Sequence, residues 1–255
     1  MQNTSDQTTQ IYYARIAGFV YLLLIVMYMS GEFIISGIVG NGDFAAAARH
    51  AAASEHLYRF ALTLQVLTPL CTTVLAYALY VALKPVNERL ANLALLFRLG
   101  ETFIGAIILI FSFEQLRIYT TYIGTGGGLA AGGTEQWQTL LTLARHSHFV
   151  GFNSSTLFFG CGSILFFSLF LKSAYLPKVQ AVIGIAASVL VVLVSLTNFI
   201  LPEHAALTQF GFAPMFVSEI VSGLYLLVRG IKVEAGAHGS SSTSTSTPAA
   251  AALPA

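Results

Sequence analysis

The stretch Phe97-Arg98-Leu99-Gly100-Glu101-Thr102-Phe103-Ile104-Gly105 places two charged side chains inside an apolar run that covers residues 90–113. About 20 apolar residues are enough to cross a bilayer as a helix. At about 100° per residue, one helix face collects the polar and small residues of this run: Arg98, Glu101, Thr102, Gly105 and Ser112. Because ionisable groups inside a membrane normally face the protein interior, the stretch predicts a multi-span membrane protein with a buried polar centre.

The composition of the whole chain supports the same fold class. Of its 255 residues, 56% are apolar and only 9% are charged, whereas a soluble domain carries about 25% charged residues. We therefore predict that the lipid bilayer is its main partner. The net charge of +1 and the lack of a Lys/Arg-rich run argue against a nucleic-acid partner. Cys71 and Cys161 lie in apolar runs, where we interpret them as small buried side chains.

Six apolar runs are long enough to span a membrane, which predicts an all-α polytopic helical bundle. They cover residues 16–38, 58–83, 90–113, 148–171, 179–201 and 212–231. A polar N-terminal segment, 1–13, precedes this membrane domain, which we place at 14–233. The Ser/Thr/Ala/Pro-rich tail, 234–255, is predicted to be disordered.

The basic residues outside the spans favour one orientation of this bundle. If the N-terminus is cytoplasmic, the inner segments hold seven of them: Arg15, Lys84, Arg89, Lys172, Lys178, Arg229 and Lys232. The outer segments then hold four: Arg49, Arg59, Arg117 and Arg145. Because cytoplasmic loops carry the excess of positive charge, we predict a multi-pass protein of the cytoplasmic membrane with both termini inside.

The outer connections have helical patterns of their own. Asp43 is a suitable N-cap for a helix over residues 44–53, and Ser54 is suited to cap the next span. Between the third and fourth spans, residues 135–145 have one apolar face, which predicts a separate interfacial helix. Pro69 interrupts the second span, where neighbouring polar side chains are expected to satisfy the freed backbone carbonyl.

Short stretches in fixed order along the chain resemble a known family. They are Arg15-Ile16-Ala17-Gly18-Phe19-Val20-Tyr21-Leu22, Leu79-Tyr80-Val81-Ala82-Leu83-Lys84-Pro85-Val86-Asn87, Phe97-Arg98-Leu99-Gly100-Glu101, Leu171-Lys172-Ser173-Ala174-Tyr175-Leu176-Pro177, Val217-Ser218-Glu219 and Leu226-Leu227-Val228-Arg229-Gly230. Together they are similar to the bacterial integral-membrane family catalogued as domain of unknown function 4386, over residues 14–233. The resemblance implies a six-span fold and supplies no activity, cofactor or active site.

Three charged residues are predicted near the bilayer midplane. Counting about 1.5 Å per residue from the inner basic residues places Arg98, Glu101 and Glu219 roughly halfway across the bilayer. One interpretation is a structural clamp, in which Arg98 pairs with one of the two glutamates. The other is a proton- or cation-responsive site, because two carboxylates share one arginine and such groups mark ion pathways.

A second polar layer is predicted nearer the outer face. Glu32 and Tyr28 share one face of the first span, and Gln65, Asn153 and Asn198 fall at a similar depth on other spans. One interpretation is hydrogen bonding between helices. The other is a polar pocket that opens outward, with Tyr28, Glu32 and Asn153 among its ligand-binding residues.

A metal site is a weaker hypothesis. His146, His148 and Glu114 map to the outer side and carry side chains that bind zinc. However, His146 and His148 are two residues apart, on different faces of a helix, and no H-E-x-x-H motif is present. We therefore predict no metal site and no cofactor.

The pair Glu101-x-x-x-Gly105 and Glu219-x-x-x-Gly223 recurs in the last span of each half of the chain. In the predicted topology the halves run in opposite directions, as in transporters built from inverted repeats. The leading functional hypothesis is a non-enzymatic, transporter- or sensor-like bundle that binds an unknown small molecule or ion. A homo-oligomer is compatible with this hypothesis. The alternatives are a membrane-embedded enzyme that acts on a lipid or other apolar substrate through outer-layer His and Glu residues, and a structural or accessory subunit.

Overall fold

The computed structural model describes residues 2–127 and 133–231, with side chains described from Gln7 onward. All regular structure in these ranges is helical. The helices are α1 (Gln2–Val39), α2 (Phe44–Ala53), α3 (Glu55–Leu83), α4 (Glu88–Gly124), α5 (Gly133–Ser173), α6 (Lys178–Ile200), α7 (Ala205–Thr208) and α8 (Ala213–Arg229). Short 3-10 turns at Pro202–His204 and Gln209–Phe212 flank α7. The predicted disordered tail, 234–255, lies outside the described residues.

Six segments of the described chain are long and apolar enough to cross a membrane, as the sequence predicted. They are α1, α3, α4, α5, α6 and the segment Pro202–Arg229 that ends in α8. Each span packs against the next in chain order, and α8 returns to pack against α1. The six spans therefore form a closed ring around a common interior.

Glycines set the closest approaches in this ring. A Cβ atom on Gly18 of α1 would overlap the backbone of Leu227 and would lie 2.6 Å from the carbonyl oxygen of Gly223 in α8. On α5, a Cβ on Gly160 would lie 2.7 Å from Val192 of α6. Small residues allow helix backbones to pack this closely in membranes, so these glycines are needed where α1 meets α8 and where α5 meets α6.

Two buried apolar clusters close the ring at its ends. The cluster at the end that holds the α3–α4 turn includes Leu79, Leu83 and Phe170. At the opposite end, residues of α2 pack with the ends of α1 and α4 and the beginnings of α3 and α5, and Tyr119 is the largest fully buried side chain of that cluster. At about 1.5 Å per residue, α4 and α5 are longer than the hydrocarbon core of a bilayer is thick.

The structure corrects two expectations for the outer connections. Residues 135–145 do not form a separate interfacial helix, because α5 runs without a break from Gly133 to Ser173. Leu141 and Ala144 are buried in the outer cluster, which explains why the helix continues. Ser54 stands at the N-cap of α3 but makes no side-chain capping bond, whereas Asp43 caps α2 as predicted by accepting from the Ala46 N–H at 2.7 Å.

Both ends of the described chain lie at the same end of the ring. Gly230, which follows α8 with a φ of +64°, lies beside Ile11 and Arg15 of α1. The α3–α4 turn is at this end too, since Leu83 and Ile231 belong to one buried cluster. In that turn, a hydrogen bond to Glu88 and the charge of its carboxylate raise the pKa of Lys84. Lys84 is therefore positively charged at neutral pH and belongs to the basic residues at this end of the ring.

Candidate functional site

The polar face of α4 points into the ring, as predicted. Arg98 is only 2% exposed, and Thr102 and Ser112 on the same face are also buried. The Thr102 hydroxyl donates to the Arg98 carbonyl at 2.8 Å. On the neighbouring helix, the Ser155 hydroxyl donates to the Glu101 carbonyl at 3.1 Å. The Ser155 bond ties the charged part of α4 to α5, and the Thr102 bond lies within α4.

Arg98 and Glu101 form a buried ion pair. Nη1 of Arg98 lies 3.0 Å from Oε2 of Glu101, and the guanidinium carbon lies 4.8 Å from the centre of the Phe159 ring. A guanidinium above an aromatic face gains a cation–π attraction that increases when water is excluded. Glu101 and Phe159 therefore hold the arginine from two sides.

The hydrogen bonds of this ion pair are incomplete. Among the described residues, Nε of Arg98 is buried without a hydrogen-bond partner, and Nη1 of Arg98 and Oε2 of Glu101, although 3.0 Å apart, do not meet at the angles of a hydrogen bond. Buried polar groups in native proteins nearly always have hydrogen-bond partners, so an incompletely bonded ion pair is unusual in a packed interior. Arg98 and Glu101 both line the same open cavity, so this pair borders space and not only packed side chains.

Glu219 reaches the same cavity from the opposite side of the ring. This central cavity has a volume of about 480 Å³ and is lined by residues of α1, α3, α4, α5 and α8 and the turn before α8. Its charged lining residues are Arg98, Glu101 and Glu219. Within the described ranges, no ion pair shorter than 4.0 Å involves Glu219. One guanidinium thus faces two carboxylates, and the second carboxylate has no cation in direct contact.

A second cavity of about 290 Å³, the outer cavity, adjoins the central one. Tyr28, Glu101 and Phe159 are among the residues that line both. The outer cavity also contains Glu32, whose carboxylate accepts a hydrogen bond of 2.7 Å from Gln65. The cavity that holds Tyr28 and Glu32 therefore adjoins the cavity that holds the midplane charges. The sequence pattern had placed these two groups of residues in separate layers.

Asn153 serves a different purpose in the fold. Its side chain is fully buried, and its amide nitrogen donates to the Phe149 carbonyl at 2.9 Å. Its oxygen accepts from Asn198 of α6 at 2.8 Å, and Asn198 in turn accepts from Thr208. These contacts match the interpretation of Asn153 as an interhelical hydrogen-bonding group.

The residues of the weaker metal hypothesis are separated. Glu114 pairs with Arg117 at 3.6 Å at an exposed position, His146 is exposed, and His148 lines the outer cavity. In the part of the chain that the structure describes, no three His, Cys, Asp or Glu side chains gather in a way that could hold a metal ion.

Several cavity residues were not identified from the sequence as site residues. Tyr21 is buried and lines the central cavity, and its place on the same α1 face as Tyr28 was the available clue. Phe159 beneath Arg98, and Phe212 and Phe216 near Glu219, are ordinary apolar residues by pattern. Their positions depend on how distant spans pack, which local periodicity does not encode.

The comparison with known proteins agrees with this architecture. The family model for a domain of unknown function, DUF4386, matches residues 16–230. The chain belongs to the DUF4386 family. The matched range includes the last five spans in full, the first span from Ile16 onward, and every residue that lines the two cavities. No curated protein and no solved structure matches the chain.

Proposed function

We propose that this DUF4386 member binds a small cation in its central cavity and works as a transporter- or sensor-like protein rather than as an enzyme. The observation that carries the proposal is the charge of the cavity: Arg98 faces both Glu101 and Glu219. The cavity has one negative charge in excess when both acids are ionised, and a bound cation would balance it. Buried charges in membrane spans are costly and mark ion and substrate pathways.

The packing of the two halves supports a transporter-like design. Glu101 and Glu219 lie on α4 and α8, the last spans of the two halves, and both line the central cavity. The glycine one turn after each glutamate faces the other half: a Cβ on Gly105 would meet Ser155 of α5, and one on Gly223 would meet Tyr21 of α1. A ligand between two oppositely directed halves is the arrangement of inverted-repeat transporters. We propose such a repeat here.

The test is cation binding by purified protein in phosphatidylglycerol nanodiscs. Tetramethylammonium is titrated while thermal stability is followed, because a ligand that binds only the folded state raises stability with its concentration. We expect the wild type and Glu114→Gln to be stabilised, since Glu114 lies outside both cavities at an exposed position. Glu219→Gln is expected to lose the response.

Two outcomes would overturn the proposal. Equal stabilisation of all variants would show that the cation acts on the bilayer or on the protein surface. No stabilisation of any variant would remove the cation site and leave Arg98 and Glu101 as a structural clamp.

A further inference from the structure

We infer that the ligand of the central cavity is an amphiphile with a cationic head, which enters sideways from the bilayer between α1 and α8. The inference rests on the proposed cation site and adds the chemical class of the ligand and its route.

Packed side chains close the cavity along the ring axis. On the inner side, Leu75 lines the floor and is itself buried, with Leu79 and Leu83 one and two turns further along α3. On the outer side, the buried cluster around Tyr119 covers the interior, and the Tyr119 hydroxyl accepts a 2.8 Å hydrogen bond from Arg145. A solute moving along the axis would have to displace one of these layers.

The turn before α8 closes a further side. Phe212 lines the central cavity and packs edge-to-face against Phe152 of α5, with ring centres 5.8 Å apart. Between α1 and α3 the helices are also close, since a Cβ on Gly31 would lie 3.0 Å from the Ala61 carbonyl oxygen. The contact between α1 and α8 is different, because the cavity is open there.

Every exposed residue in the lining of the central cavity lies on α1 or on α8 and the turn before it. These residues are Tyr28, Met29, Gln209, Ala213 and Phe216. Met29 is 46% exposed and Phe216 is 38% exposed, although both line the cavity. The two helices touch at Gly18 and Gly223, and the cavity occupies the space between them further toward the outer end. We call this opening the lateral mouth.

The lateral mouth has the chemistry of an amphiphile site. Its rim at Met29 and Phe216 is apolar and lies within membrane-spanning helices, so it suits a hydrocarbon chain. Behind it stand Glu219 and Glu101 of the central cavity, and the adjoining outer cavity holds a third carboxylate, that of Glu32. The bilayer does not concentrate a water-soluble cation, whereas each methylene that a chain transfers from water into the hydrocarbon contributes about 0.8 kcal/mol. An amphiphile therefore reaches the rim at a high local concentration.

The test uses two probes in phosphatidylglycerol nanodiscs, a bilayer that supplies no cationic headgroup of its own. One is dodecyltrimethylammonium with a photoactivatable diazirine near the end of its chain, mapped by peptide mass spectrometry. The other is tetramethylammonium, which has the same head and no chain. We expect labelling on α1 and α8 near Met29 and Phe216. Unlabelled dodecyltrimethylammonium should compete for this labelling at a concentration at least about tenfold lower than the concentration of tetramethylammonium that competes equally.

A matched pair of variants tests the route. Met29→Trp places a bulky ring in the lateral mouth, whereas Val26→Trp places it at a 61% exposed position of α1 that does not line the cavity. We expect Met29→Trp to lower photolabelling about tenfold and Val26→Trp to leave it unchanged. Stabilisation by tetramethylammonium should survive in Val26→Trp, which leaves the cavity lining unchanged.

The outcomes separate this inference from the proposed function. If tetramethylammonium competes as well as the chain-bearing probe and Met29→Trp has no effect, the cation site stands and the lateral route is wrong. If labelling is equal in the wild type and Glu219→Gln, the amphiphile binds without the Glu219 carboxylate, and the charge selection proposed for this residue is wrong. If neither probe binds, the cation site and the lateral route both fail.

Discussion

The guanidinium of Arg98 lies 3.0 Å from the carboxylate of Glu101, one turn away on the same helix, and both groups face a cavity that Glu219 enters from the other side of the ring. Arg98 is held by one carboxylate and by the face of Phe159. The second carboxylate is left for whatever occupies the cavity. The stability of the bundle and its ligand response should therefore depend differently on Glu101 and Glu219.

Replacing Arg98 should destabilise the protein. Arg98→Met leaves Glu101 and Glu219 in the cavity without any cation, and removing one partner of a buried ion pair costs about 3–5 kcal/mol when the other stays charged. Because Glu101 faces an open cavity and its side chain is 16% exposed, we expect the lower end of this range. Arg98→Lys should lose less, since it keeps the charge but not the planar group above Phe159.

The double variant Arg98→Met/Glu101→Gln checks the cause, because it removes both charges of the pair. Thermal unfolding in one detergent should show it to be more stable than Arg98→Met alone. If the double variant is less stable than the single one, the loss comes from packing around Arg98 rather than from an unpaired charge.

Gly18→Ala should weaken the closure of the ring. The added Cβ would overlap backbone atoms of α8, which cannot move aside as a flexible side chain can, and overpacking of this kind costs about 1–3 kcal/mol. Gly37→Ala on the same helix is the control, because a Cβ there meets nothing within 4 Å. It should be neutral or stabilising by up to ~1 kcal/mol, since alanine favours the helix. Equal unfolding temperatures for the two variants would show that the α1–α8 contact is looser than described.

Asn198→Ala should lower stability without changing ligand affinity. The change removes the 2.8 Å bond to Asn153 and one of the two acceptors of the Thr208 hydroxyl. Side-chain hydrogen bonds between membrane helices contribute about 0.6 kcal/mol on average. Thr197→Ala is the matched control, because the Thr197 hydroxyl is exposed and bonds only to the Leu193 carbonyl of its own helix. A loss of tetramethylammonium response in Asn198→Ala, with stability unchanged, would move Asn153 and Asn198 into the binding site.

The number of spans could be predicted from the sequence, but the residue at which α5 begins could not. Spans are marked by uninterrupted apolar runs, so the run at 148–171 was found, whereas α5 begins at Gly133. Arg145 and His146 interrupt the apolar pattern. The helix continues through them because Leu141 and Ala144 find buried positions in a cluster contributed by four other helices, and that cluster has no local pattern.

Some contacts of the candidate site could likewise be predicted from the sequence, and others could not. Arg98 and Glu101 are three residues apart, so their pairing follows from helix geometry alone. That Glu219 enters the same cavity depends on the closure of the ring at Gly18 and Gly223, which lie far apart in the chain. The lateral mouth has no sequence pattern at all, since Met29 and Phe216 look like ordinary lipid-facing residues.

The orientation of the bundle can be tested with single cysteines. In a background with Cys71→Ala and Cys161→Ala, Asn41→Cys places a thiol in the turn between α1 and α2, and Pro85→Cys places one in the α3–α4 turn. Both positions are exposed, and they lie at opposite ends of the ring.

Because the end with the α3–α4 turn carries more basic residues, including Lys84 and Arg89, the positive-inside rule places it in the cytoplasm. A membrane-impermeant maleimide applied to intact cells should label Asn41→Cys at once and Pro85→Cys only after the membrane is permeabilised. The cysteine-free background controls for labelling of other proteins. The reverse pattern would place both termini outside and turn the outer cavity toward the cytoplasm, so that a ligand entering by the lateral mouth would come from the inner leaflet.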